Sequence, residues 1–138
     1  IELDPNEADT WAALSDIAVL AGRVEEGLEH IGKAFRLNPF PASWYYLTLG
    51  QAQYASRDYQ AAIETLRRDE TYRTSSRRFL AASMAQLGRL DEARAEAELF
   101  LVGNPHFTTH HWATTEPFRD AATLEHFVDG FRKAGLPE

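Results

Sequence analysis

A chain of 138 residues with 44% apolar and 25% charged side chains has the composition of a folded domain, which sets disorder aside. Its net charge of −7 argues against nucleic acid, whose phosphates call for a basic surface. Without cysteine there is no disulfide, thiolate metal site or cysteine nucleophile, and no apolar run approaches the ~18 residues that cross a bilayer.

These properties lead to the expectation of a cytoplasmic segment with neither nucleic acid nor membrane as a partner. The chain opens IELDPNEADTW. A helix stops before an Asp-Pro pair, so Leu3-Asp4-Pro5-Asn6 reads as the close of one helix and the turn into the next. Almost no helix precedes it and the first residue is Ile. Residues 1–7 are therefore expected to be the remnant of a preceding repeat in a longer protein, with Ile1 and Leu3 packed on the first complete one.

Paired helices are expected near 8–21 and 24–37, 42–56 and 59–70, then 75–87 and 90–103. The stretch from Arg67 to Ser76 lacks a Pro turn and is short, so the second and third pairs should join irregularly. Five arginines, Arg67, Arg68, Arg73, Arg77 and Arg78, crowd this region with Asp69 and Glu70 among them. A solvated helix end is the preferred reading, with an anion or acidic-partner site as the alternative. Further on, Thr108 or Thr109 can cap a short helix that carries Trp112 and ends before Pro117. Asp120 can cap a longer one, whose Ala121, Leu124, Phe127, Val128 and Phe131 keep helical spacing. Arg132 and Lys133 suit its negative pole, Gly135 the left-handed position after it, and Leu136 can fold back before Pro137.

Two markers recur. Asp-Pro or Asn-Pro follows an apolar stretch at Pro5, Pro39 and Pro105, spaced 34 and 66 residues apart, the second gap being about twice the first. The segments AGRVEEGL, SRDYQAAI and LGRLDEAR fill the missing beat, with Gly27, Ala62 and Ala93 at the same small position. A period of this size signals helical hairpins stacked side by side.

On these residues the chain resembles the tetratricopeptide repeat. Trp11, Leu14, Ala18, Gly27, Ile31, Ala34 and Pro39 carry the first repeat. Tyr46, Leu49, Gly50, Ala62 and Leu66 carry the second, while Leu80, Ala81, Met84, Gly88, Ala93, Ala97 and Pro105 belong to the third. Asp69 and Phe100 depart from the small residues usual at their places. The resemblance implies an all-α fold, a right-handed superhelix of antiparallel helix pairs. Three repeats occupy about 8–41, 43–73 and 74–107, and residues 108–138 form a degenerate pair of capping helices over the open end. The closing stretch EPFRDAATLEHFVDGFRKAGLPE also resembles the C-terminal end of bacterial signalling proteins. In these a class III adenylate/guanylate cyclase domain, or less often a winged-helix domain, precedes such repeats. That likeness implies that any cyclase chemistry lies upstream of these residues.

Inside the segment no arrangement for chemistry stands out. His106 and His110 have a spacing that suits a metal on one helix face, but Pro105 places His106 before the helix and no carboxylate partner is apparent. His30 and His126 are read as helix-surface residues, and no metal or other cofactor is expected. Glycines are scattered singly, so no phosphate loop forms, and no nucleophile with its base can be assigned. Function is then expected on the face lined by the first helix of each pair. That face should expose Asp9, Ala12, Asp16, Trp44, Gln51, Tyr54, Arg78 and Ala82. The family's clamp for a C-terminal carboxylate needs Lys and Asn where this chain has Ala12 and Asp16, so the clamp is not implied. The expected partner is a protein, a peptide or a neighbouring domain, gripped through Trp44 and Tyr54 unless these rings pack between hairpins instead. Self-association into a homodimer through apolar surface at the N-terminal end is the alternative.

Overall fold

The computed structural model describes residues 5–68, 72 and 76–138. The expectations for Ile1, Leu3, Asp69, Glu70 and Arg73, and most of the joint before Ser76, lie outside the described residues. Within them the chain is all-α, without strands, in the order α1 (Pro5–Leu20), α2 (Val24–Leu37), α3 (Ser43–Ala55), α4 (Tyr59–Leu66), α5 (Arg77–Gln86), α6 (Leu90–Gly103), α7 (Thr109–Thr115) and α8 (Ala121–Ala134). Pro5 opens α1, where a missing N–H costs nothing because the first turn has no acceptor for it.

Helices α1 and α2, α3 and α4, and α5 and α6 form three hairpins, and one turn closes all of them. Gly22, Arg57 and Gly88 are left-handed, with φ of 83°, 68° and 81°. The next residue donates its N–H five residues back in each case: Arg23 to Ala18 (2.8 Å), Asp58 to Gln53 (3.0 Å) and Arg89 to Met84 (3.0 Å). That residue then starts the following helix from nearly one conformation, with φ/ψ of −90°/68°, −89°/72° and −83°/65°. The pattern satisfies orphan carbonyls at a helix end and turns the chain back at a fixed angle.

Small residues set the distance between the two helices of a hairpin. A Cβ on Gly27 would lie 2.8 Å from Val19, and one on Gly50 would lie 2.5 Å from Leu66. Ser15, in register with Gly50, is buried and donates its hydroxyl to the Gly27 carbonyl at 2.7 Å. Ala62, Ala81 and Ala93 are fully buried at the corresponding places. Ala8, Ala12, Ile31, Ala34 and Tyr45 form one core where the first two hairpins meet. A larger core runs from the second hairpin through the third to α7 and α8.

The capping expectations for the last two helices match the structure. The side chains of Thr108 and Asp120 accept from the N–H groups of His111 and Thr123, Gly135 has φ of 89°, and Leu136 folds back onto the Phe131 carbonyl. The place of α8 differs from an end cap. It packs chiefly on α5 and also reaches α6, α3 and α1, lying across the first helices of all three hairpins. Its apolar residues bury there, and Phe127 and Phe131 are both submerged. Each fully buried ring contributes roughly 1.5–3 kcal/mol, so α8 is a fixed wall.

Candidate functional site

The face formed by α1, α3 and α5 is where the sequence places its site residues, and α8 divides it. Tyr54 is fully buried beneath α8. Its hydroxyl donates to the His126 carbonyl at 2.5 Å and accepts from the Gln86 amide at 3.1 Å, while its ring stacks on the His126 ring at 4.5 Å. Burial drives the Tyr54 phenol well above its ordinary pKa. Gly130 makes the approach of α8 possible, because a Cβ there would strike the Tyr54 hydroxyl and come within 2.9 Å of Ala82. Tyr54 and Ala82 are thus core residues rather than exposed ones, and Ala12 is likewise buried, in the core of the first two hairpins.

His126, expected on a helix surface, is also buried. Its Nε2 lies 2.7 Å from the Tyr59 hydroxyl. Burial, with the cations Arg57 and Lys133 nearby, holds its pKa down to about 4 despite the opposing charge of Asp129. Two other expected residues sit at the far side of the face. Asp9 accepts a hydrogen bond from the Tyr45 hydroxyl, and Trp44 is 38% exposed with its ring against that of Tyr45 at 4.7 Å.

The remaining three, Asp16, Gln51 and Arg78, come together. They line a half-enclosed cavity of about 260 Å³ between α1, α3, α5 and the α7–α8 connection. Glu116 completes the polar wall, and Val19, Leu20, Phe79, Trp112, Phe118 and Phe127 supply the apolar one. The rings brace each other, with Trp112 to Phe118 at 5.7 Å, Phe118 to Phe127 at 5.6 Å and Phe79 to Phe127 at 5.9 Å. The first and last of these are edge-on, an arrangement favourable beyond the area it buries.

The charges in this wall are perturbed. Burial pushes the Asp16 carboxyl up to about 6, assisted by the negative charge of Glu116 and resisted by a hydrogen bond from Thr48. Burial also lowers the pKa of Arg78, whose guanidinium is held by ring faces, 4.8 Å from Phe79 and 5.7 Å from Phe100. Of the other described arginines of the sequence cluster, Arg67 and Arg68 are exposed and Arg77 is half-buried. Arg67 pairs loosely with Glu92 at 3.7 Å, and Arg68 and Arg77 lie over the rings of Tyr46 and Tyr72. His106, His110 and His111 are exposed, and among the described residues no cluster of three metal-ligating side chains occurs.

Sequence reasoning missed Glu116, Trp112, Phe118 and Phe127 as partners of Asp16 and Arg78. The available signal was the Thr108 cap followed by Glu116-Pro117, which ends α7 and fixes where Trp112 and Glu116 project. No helix among the described residues is long and apolar enough to cross a membrane. No protein-family model matches the chain, and no curated protein is significantly similar to it.

Proposed function

We propose that the chain is a non-catalytic binding module of the tetratricopeptide type, a right-handed superhelix of three helix pairs closed by its last two helices. The observation that carries this reading is the recurrence of one hairpin turn at Gly22, Arg57 and Gly88, in the same phase as the small residues Gly27, Ala62 and Ala93. In this reading the module regulates a larger cytoplasmic bacterial signalling protein, a nucleotide cyclase before a winged-helix regulator, by engaging a peptide or neighbouring domain on the α1–α3–α5 face. Asp9 and Trp44 serve one part of that face, and Asp16, Gln51 and Arg78 serve the other.

Selection from a displayed peptide library against the chain tests it. Peptides should be enriched that lose binding on Gln51→Arg or Trp44→Ala and keep it when Glu29 or Glu98 on the opposite helices is replaced. Enrichment that is indifferent to the face substitutions would refute the assignment.

Self-association is a second reading with its own support. Leu14 and Ile17 on α1 are 37% and 56% exposed, whereas of their counterparts in the later hairpins Leu49 is half-buried and Leu80, Ala52 and Ser83 are fully buried. An apolar stripe of this kind accepts a further helical hairpin, and a second copy could supply it. Light scattering should then report a dimer that Ile17→Glu returns to monomer.

A further inference from the structure

The cavity at Asp16 and Arg78 is small, and it sets two acids, Asp16 and Glu116, against one guanidinium. At about 30 Å³ of liquid volume per water, 260 Å³ corresponds to roughly nine waters, so it suits a ligand of about ten non-hydrogen atoms and not a folded segment. Arg78 is held by two ring faces, and Glu116 acts on it only at longer range. Asp16 and Glu116 face the same space and repel one another. A guanidinium without a close acid favours an anion, and two acids in mutual repulsion favour a cation between them. The wall of Phe79, Trp112, Phe118 and Phe127 favours an apolar body.

We infer that this cavity takes a free zwitterionic amino acid with a large apolar side chain. Its carboxylate meets Arg78, its ammonium sits between Asp16 and Glu116, and its side chain lies on the rings. A peptide residue carries both charges on one unit only when it is free, so an internal residue or a single terminus leaves one pole of the cavity unmatched. The inference rests on the binding-module reading and narrows what one part of its face recognises.

Isothermal titration calorimetry on the whole chain tests it, with L-phenylalanine, L-leucine, 3-phenylpropionate, 2-phenylethylamine and N-acetyl-L-phenylalanine amide as probes. L-Phenylalanine should bind best, each analogue lacking one charge should be about tenfold weaker, and the doubly blocked form should not bind. Glu116→Gln, at the cavity rim, should weaken L-phenylalanine and 2-phenylethylamine and leave 3-phenylpropionate unchanged or tighter. Arg78→Met, which keeps an unbranched side chain and removes the charge, should show the opposite pattern.

Equal affinity for zwitterion and single-charge analogues, no heat with any probe, or an unchanged L-phenylalanine affinity in Glu116→Gln would each overturn the inference. Peptides selected by the face with no response to L-phenylalanine would overturn it alone and leave the module standing. L-Phenylalanine binding without any face-dependent peptide would instead remove the macromolecular partner and keep the amino acid.

Discussion

Replacing Asp16 by Asn should stabilise the fold, and by an amount that depends on pH. The carboxyl is raised from 3.8 to about 6, chiefly by burial, so the native state holds its proton where the unfolded chain has released it. Stability contributed by such a group falls as pH rises from about 4 to about 6 and stays low above that window. Two units at 1.36 kcal/mol each give a cost of about 3 kcal/mol at pH 7.5, an upper value because solvent at the cavity mouth screens the charge. At pH 4.5 the same arithmetic leaves about 1 kcal/mol. Urea denaturation followed by far-UV circular dichroism should therefore show Asp16→Asn more stable than the parent, with an advantage that grows by about 2 kcal/mol between pH 4.5 and 7.5. His126 titrates over part of this range, but it is common to both proteins and cancels in the difference. An advantage that is absent, or the same at both values, would refute the claim that Asp16 is a buried acid held charged at a cost.

Other outcomes follow from the wall that α8 makes. Gly130→Ala should destabilise by about 1–3 kcal/mol in the same assay, because the added methyl meets the Tyr54 hydroxyl and Ala82; a neutral result would mean that α8 is not seated as described. Arg57→Gly should stabilise by about 0.5–1 kcal/mol, relieving a left-handed non-glycine residue at φ 68° after the entropy cost of glycine is deducted. The same change removes a nearby cation and should raise the His126 pKa, readable from its ring resonances by NMR. In the parent chain that titration should have its midpoint near pH 4. Because the unfolded imidazole takes up its proton first, stability should decline as pH falls from about 6.5 to 4; a midpoint at the ordinary value would refute the burial of this ring.

The hairpins were legible in the sequence because their determinants are local. A left-handed residue and a small residue five places later lie within one turn and its flanks in all three pairs, and a Pro follows the first and the third. Arg57 shows that the turn tolerates a poor residue when the helices on both sides demand it. The caps at Thr108 and Asp120 were legible for the same reason. The seat of α8 was not. Periodicity marks Phe127, Val128 and Phe131 as one apolar face and says nothing of what lies opposite. The decisive match, Gly130 against Tyr54, joins residues 76 apart in the chain. The burial of Ala12, Tyr54 and His126 follows from long-range packing of this kind. Asp16 and Arg78 could be placed on one face, but their enclosure depends on Glu116 and Trp112, which arrive from a helix of only seven residues.

Helix α8 is bonded along its whole length. At its start the Arg119 and Asp120 N–H groups donate to the Leu20 carbonyl, midway Tyr54 donates to His126, and near its end Lys133 reaches Gln86. Beyond it the Pro137 and Glu138 carbonyls accept from the first N–H groups of α7. A row of hairpins joined only neighbour to neighbour can stretch and recoil like a spring. Here α8 bridges the first hairpin to the third, so parting them breaks these bonds as well as the contacts between neighbours.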